Sequence, residues 1–239
     1  MRGIETPALD PVSQVVFDEA MVEYAEAANP GPMLRFWESA DYAVVLGRGC
    51  NVEKDVHLLA CRERNIPVIR RASGGGTVLQ GPGCLNYVLV LPMTLHSDLE
   101  TVSGSNRYIM DRMREAFAPV LPGVQVQGIT DLTWEGRKFS GNAQRRKRRY
   151  LLFHGTVLYD FDVSLVETTL KLPPRRPDYR ADRPHTDFVH NVPLSRGQIE
   201  SLISAAWQAN PPLPDPAIQR FFDDVMNRYA AGGEWAFML

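Results

Sequence analysis

Two stretches of this 239-residue chain carry residue types whose spacing suits chemistry on a phosphorylated or acylated substrate. The first is Arg70 to Tyr87, RRASGGGTVLQGPGCLNY. It sets two arginines, three consecutive glycines and a Gly-Pro-Gly turn between apolar runs at Ile66–Ile69 and Leu85–Leu91, which read as buried strands. Glycines admit positive φ and let backbone N–H groups come close to a ligand, so this loop can cradle an anion while Arg70 and Arg71 supply charge. The same composition describes a plain hairpin with a wide turn. The second stretch, residues 131–155, reads DLTWEGRKFSGNAQRRKRRYLLFHG. Lys138 opens a strand bounded by Ser140-Gly141, which would hold its ammonium in place. When a carboxylate attacks the α-phosphate of ATP, negative charge builds on both partners, and one fixed ammonium can bridge them. Lys138 is also readable as an exposed hairpin charge.

The neighbours of Lys138 add less. Asp131 is a candidate for a magnesium ion or a ligand hydroxyl, or a turn cap. His154, in an apolar strand before Gly155, fits a hydrogen-bonded sheet residue, and His57, His96, His185 and His190 share no metal-ligand spacing with it. The run Arg145–Arg149 is either a solvated turn or a face for an acidic partner, and it lacks the interleaved aromatics of a nucleic-acid site.

The elements that must position these residues follow from periodicity. Asp10-Pro11 starts a helix with Phe17, Ala20, Met21, Tyr24 and Ala28 at helical spacing, and Asn29-Pro-Gly-Pro stops it. Met33–Trp37 and Tyr42–Leu46 read as a hairpin, and Val52–Asn65 as a helix with Val56, Leu59 and Ala60 inward. Ser103–Val120 is a second long helix. Strands are expected at Val124–Gln127, Asp131–Trp134, Arg137–Ala143 and Leu151–Tyr159, with a short helix at Val163–Leu170. Pro173–Pro193 lacks periodicity and reads as a loop, and two further helices carry Ile199, Leu202, Ile203, Ala206 and Ile218, Phe221, Phe222, Val225, Tyr229. Hairpins mixed with helices argue for an α+β fold with a mixed, largely antiparallel sheet and flanking helices.

Composition bounds the rest. The chain is 44% hydrophobic and 23% charged with a formal net charge of -2, so no global field draws it to nucleic acid or to a membrane. Three cysteines without ligand spacing, and no apolar leader or run long enough to cross a bilayer, predict a cytoplasmic protein. P-loop, G-x-G-x-x-G and G-x-S-x-G patterns are absent.

On these residues the sequence resembles the lipoate-protein ligases. RRASGGGTVLQGPGCLNY is similar to that family's lipoate-binding loop, and DLTWEGRKFSGNAQ with HGTVLYDFD to its catalytic-lysine segment and following strand. LRFWESADYAVVLGR and the terminal GEWAFML extend the likeness more weakly. The resemblance implies a fold related to biotin-protein ligases and the core of class II aminoacyl-tRNA synthetases. It implies that ATP and lipoate, with Mg2+, give lipoyl-AMP, and that the lipoyl group then passes to a lysine of an acceptor lipoyl domain of a 2-oxoacid dehydrogenase or of glycine-cleavage H protein. Arg70, Arg71, Ser73, Gly74, Gly75, Gly76, Thr77 and Asn86 would line the acyl and phosphate region. Lys138 would bridge the acyl carbonyl and α-phosphate, with Asp131, Ser140, Gly141 and His154 nearby; no residue is assigned as a metal ligand.

Three departures qualify the likeness. The chain is expected to form one catalytic domain over residues 1–239 without the family's C-terminal accessory domain, which leaves two alternatives, a separate accessory subunit as partner or transfer of a preactivated acyl group only. Thr130 stands where an asparagine is common. Gln80-Gly-Pro-Gly83 resembles octanoyltransferases, which move an acyl group from acyl carrier protein through a cysteine thioester. Octanoate is therefore an alternative substrate, and Cys84 a candidate thiol. A non-catalytic lipoyl- or nucleotide-binding protein is the reading of another class, and Lys138 counts against it. Biotin ligation is disfavoured, since neither a Gly-Arg-Gly-Arg loop nor a Lys-Trp-Pro-Asn-Asp motif occurs.

Overall fold

The computed structural model describes residues 1–6, 8–173 and 177–231, so the terminal GEWAFML lies outside the described residues. The elements begin with β1 (Arg2–Ile4), α1 (Pro11–Ala28), β2 (Met33–Trp37), β3 (Ala43–Leu46), α2 (Val52–Asp55) and α3 (Leu58–Glu63). Next come β4 (Val68–Arg70), β5 (Val78–Gln80), β6 (Cys84–Pro92), α4 (Val102–Phe117), β7 (Gln125–Gln127) and β8 (Asp131–Trp134). They end with β9 (Arg137–Arg146), β10 (Tyr150–Leu158), α5 (Ser164–Thr169), α6 (His185–Phe188), α7 (Arg196–Trp207), β11 (Pro212–Leu213) and α8 (Gln219–Ala230).

An eight-stranded sheet in the order β11-β1-β2-β6-β10-β9-β8-β7 is antiparallel from β2 onward and parallel only at its β11-β1-β2 edge. The α+β class expected from the sequence is the class observed. Alternation along β6 explains the layering. Val88 and Val90 face α1 and α8 with Met21, Phe17 and Tyr229, and Leu85, Tyr87, Leu89 and Leu91 face α4 and α7 with Met113, Phe117 and Ile203. Asp10 caps α1 by accepting from the Val12 and Ser13 N–H groups at 3.0 and 3.1 Å, and Asn29 ends it in the left-handed region.

Two expectations fail for physical reasons. The segments 33–37 and 42–46 do not form a hairpin: β2 pairs with β1 and β6, whereas β3 lies between β4 and β5 in a separate three-stranded sheet. Glu38, just after β2, accepts from the Gly83 N–H and the Tyr159 hydroxyl, both at 2.8 Å, and this anchors the chain as it leaves the large sheet. The helix expected over 52–65 breaks at Val56-His57, because Val56 bridges to Leu170 and the His57 N–H bonds the Thr169 carbonyl at 2.9 Å. The break rotates the second half, so Cys61 is buried and Leu59 is 75% exposed.

The basic run 145–149 is largely committed inside the molecule. Arg145 pairs with Glu19 at 2.8 Å, Lys147 with Glu23 at 2.6 Å and Arg149 with Glu26 at 3.7 Å, three acids on one stripe of α1. Arg146 bonds the Leu99 carbonyl at 2.7 Å. The run therefore fastens the β9–β10 turn to the first helix.

Candidate active site

The glycine loop is no hairpin turn. It leaves β4, passes over the end of β3 and enters β5 on the far side, because β4 and β5 flank β3. Arg71 braces it from below. Its Nη2 donates to the Gly74 and Gly76 carbonyls at 2.7 and 2.9 Å, its Nε to Ser73 Oγ at 2.9 Å and its Nη1 to the Val45 carbonyl at 3.3 Å. Burial pushes the guanidinium down to about 10, still protonated at neutral pH. Since a trans peptide points its N–H opposite its C=O, tying these two carbonyls to Arg71 turns the Gly75 and Thr77 N–H groups away from it. Arg71 thus acts as an internal brace, a use of its charge that the sequence did not reveal. Arg70 is committed similarly, donating to the Gly47, Arg48 and Cys50 carbonyls at 3.0, 3.1 and 2.8 Å.

Lys138 sits where the sheet changes phase. Leu132 pairs with Ser140 and Thr133 with Lys138, so β9 carries one extra residue, Phe139, as a bulge. The bulge lets Lys138 share a face with Gly141, three residues on. Its side chain crosses the bare Gly141 backbone, and a Cβ added there would lie 2.7 Å from both Cε and Nζ. The ammonium ends 2.7 Å from Asp131 Oδ1, and Asp131 Oδ2 accepts from the Tyr179 hydroxyl at 2.6 Å. Farther along β9, Ala143 meets the loop: a Cβ on Gly75 would fall 3.3 Å from that of Ala143. Strand β9 therefore carries both the fixed ammonium and the floor under the glycine loop.

His154, paired with Ala143 across β9–β10, reaches the loop from the sheet. Its Nε2 lies 2.6 Å from Ser73 Oγ and its Nδ1 3.2 Å from Asp18 Oδ2. Ser140, buried, accepts from Asn142 Nδ2 at 3.2 Å, and Thr130 donates to the Asn142 carbonyl at 2.9 Å. Two expected residues lie apart from this constellation in their bonding. Thr77 donates to Asp55 Oδ2 at 2.8 Å, and Asn86 is buried with its amide engaged by Gln80 at 2.8 Å and by the Cys84 carbonyl at 3.3 Å.

Sequence reasoning missed Asp18 and Tyr179. Gln14 and Asp18 stand one helical turn apart within an apolar stretch, a pattern that marks polar side chains turned inward. Tyr179 had no such signal. It belongs to the 173–193 connector, whose described residues 177–193 are tied to β9: the His190 N–H bonds the Lys138 carbonyl at 2.9 Å and Arg183 the Gly136 carbonyl at 2.9 Å.

Cys84 does not present a usable thiol. It is fully buried, and burial with Glu38 nearby pushes it up to about 12, so the thiolate that attacks a thioester is essentially absent at neutral pH. All three cysteines are free, and Cys50 is the partly exposed one, its thiol 3.4 Å from the Gly75 carbonyl. Iodoacetamide is expected to label Cys50 and spare Cys61 and Cys84 in the folded protein. Peptide mass mapping checks this, and rapid labelling of Cys84 would contradict it.

Gly141→Ala is expected to displace the Lys138 ammonium with little effect on folding, because the added methyl meets the flexible end of a side chain. The activity proposed below should fall roughly 10²-fold, the scale of one misplaced electrostatic group, with melting temperature nearly unchanged. A fully active variant would show that the lysine does not need this seat.

Among the described residues, no group of three or more His, Cys, Asp or Glu side chains is arranged to hold a metal, and no helix is long and apolar enough to cross a membrane.

An α+β catalytic fold with a braced glycine loop and a lysine fixed on the adjoining strand defines the class. Residues 10–194 match the lipoyl protein ligase A/B catalytic domain, and the chain belongs to that family. It is 26% identical over 159 residues to a probable lipoate-protein ligase A of Mycoplasma pneumoniae, covering 66% of this chain and 45% of that protein. It is 25% identical over 205 residues to the octanoyltransferase LipM of Geobacillus kaustophilus, covering 76% and 73%. The fold superposes with TM-score 0.78 on a bi-partite lipoate protein ligase from Thermoplasma acidophilum, described with its E2 lipoyl domain, at 18% identity over 98% of this chain and 94% of that one. The chain spans about half the length of the curated ligases that it matches.

Proposed function

We propose that this chain activates lipoate or octanoate with ATP, forming an acyl-AMP, and transfers the acyl group to a lysine of an acceptor lipoyl domain or H protein. The observation that carries this reading is the Lys138 ammonium, held by Asp131 across Gly141 on the strand that also floors the glycine loop. In the first step a carboxylate oxygen of the acid attacks the α-phosphorus, and pyrophosphate leaves with the electron pair of the broken P–O bond. Lys138 neutralises charge on the carboxylate and α-phosphate oxygens, and the loop amides turned outward by Arg71 offer donors to phosphate. In the second step the acceptor's amine attacks the acyl carbonyl, and AMP departs with its oxygen.

The residues offer no ready-made cation cage. Asp131 is the carboxylate beside Lys138, and its two oxygens are already used by Lys138 and Tyr179. Mg2+ fits here as an ion carried by the ATP phosphates, with Asp131 as the side chain able to turn toward it. The Thermoplasma relative, described as bi-partite, supports a separate accessory subunit as a partner, and its lipoyl domain supports an acceptor of that type.

The second reading, acyl transfer from a preactivated thioester, is favoured by the octanoyltransferase relative. The burial of Cys84 weighs against it. Incubation with ATP, lipoate or octanoate and an apo lipoyl domain, followed by acceptor mass, tests the choice. ATP-dependent mass gain is expected; gain from acyl carrier protein without ATP would favour the transferase, and no gain from any donor, with or without an accessory subunit, would reject both.

A further inference from the structure

Below the glycine loop, a hydrogen-bonded chain runs from the protein interior to Ser73. It starts at Arg35 on β2, which is completely buried. Arg35 pairs with Asp18 of α1, donates to the Gln14 carbonyl at 3.1 Å and engages the Gln14 side chain. The Asp18 oxygen that meets Arg35 also accepts from Trp37 Nε1 at 3.1 Å. The other Asp18 oxygen lies 3.2 Å from His154 Nδ1, and His154 Nε2 lies 2.6 Å from Ser73 Oγ.

With the His154 ring neutral, donor and acceptor chemistry fixes the protons that run from Asp18 to Ser73. A carboxylate only accepts, so the proton shared with His154 sits on Nδ1. In the neutral ring Nε2 is then an acceptor, and Ser73 must donate to it. That leaves the Ser73 oxygen lone pairs for Arg71 Nε, whose Nη2 holds the Gly74 and Gly76 carbonyls. Asp18, which bonds none of the loop residues itself, thereby sets the hydrogen-bond direction that ends in the loop.

We propose that Asp18 is a positioning residue for the active site: by selecting the His154 tautomer it orients the Ser73 hydroxyl and steadies the glycine loop. Replacing Asp18 with Asn reverses the chain. Arg35 and Trp37 are both donors and claim the amide oxygen, so the amide nitrogen faces His154 and donates to Nδ1. The ring proton moves to Nε2, Ser73 receives two donors, and its own proton loses its buried acceptor.

Long-range 1H–15N spectra of histidine-labelled protein, assigned with His154→Gln, test this directly. The native protein is expected to carry Nδ1–H at His154, and Asp18→Asn to carry Nε2–H. Amide exchange at Gly74–Gly76 should rise roughly 2- to 10-fold, the worth of one internal hydrogen bond. Acyl-transfer kcat should fall about 10- to 100-fold, as for other residues that orient a site through a partner, with KM for the acid changed less. Nε2–H in the native protein would overturn the proposal. So would a switched tautomer with loop exchange and kcat unchanged, which leaves a purely structural network. Should Asp18→Asn not fold, Ser73→Ala cuts the last link with the ion pair intact, and unchanged exchange at Gly74–Gly76 would overturn the proposal equally. The kinetic readout rests on the proposed acyl transfer, whereas tautomer and exchange do not, so failure of one is separable from failure of the other.

Discussion

Lys138→Ala is expected to abolish most acyl-adenylate formation, lowering the rate by about 10²–10³-fold, as loss of one preorganised donor at a charged transition state does. The Lys138 side chain is 24% exposed, and its ammonium is seated by Asp131, Gly141 and the Phe139 bulge. Stability should change little, because a partly exposed ion pair contributes only about 0–1 kcal/mol. Pyrophosphate release with ATP and lipoate, together with a thermal melt, separates the two effects. A variant with native turnover would sink the role assigned to Lys138. Transfer from chemically prepared acyl-AMP should suffer less than adenylation, since the leaving group is then already in place.

The second large effect is on folding. Arg35→Met removes the cation of a fully buried pair and leaves the Asp18 carboxylate in the interior with His154 and Trp37 as its remaining partners. Breaking one side of such a pair costs about 3–5 kcal/mol. For a chain of this size that is a fall in melting temperature of roughly 6–20 °C. Removing both charges, as Arg35→Met with Asp18→Leu, should recover much of the stability, because burying two charges is itself costly. The double variant still lacks the His154 partner, so thermal stability should return and full acyl transfer should not. Calorimetry beside the transfer assay reads this split. A single variant as stable as the native protein would show that the interior tolerates an unpaired carboxylate there.

Much of the scaffold was legible from local pattern. Asp10-Pro11 and Asn29 bound α1 because capping and left-handed termination are properties of a few consecutive residues. The strands β6 and β10 were readable as apolar runs, and β8 and β9 from the Glu135-Gly136 turn between them, because both signals are local. The break at Val56-His57 was not, since it is enforced by Leu170 and Thr169, more than a hundred residues away. Nor was the parting of β2 from β3, which depends on Glu38 meeting Gly83 and Tyr159.

The sequence by itself determined that a glycine loop flanked by arginines and a strand-borne lysine exist in one chain, because turn chemistry and strand periodicity are local. Only the tertiary structure decided what those residues do. It spent Arg70 and Arg71 on backbone carbonyls, put Lys138 in phase with Gly141 through a single-residue bulge, brought Tyr179 to Asp131, and ran Asp18 through His154 to Ser73. Each of these joins residues by packing across elements, and the direction of a hydrogen bond or the burial of a thiol is fixed by which partners arrive there, not by the chain's own neighbours.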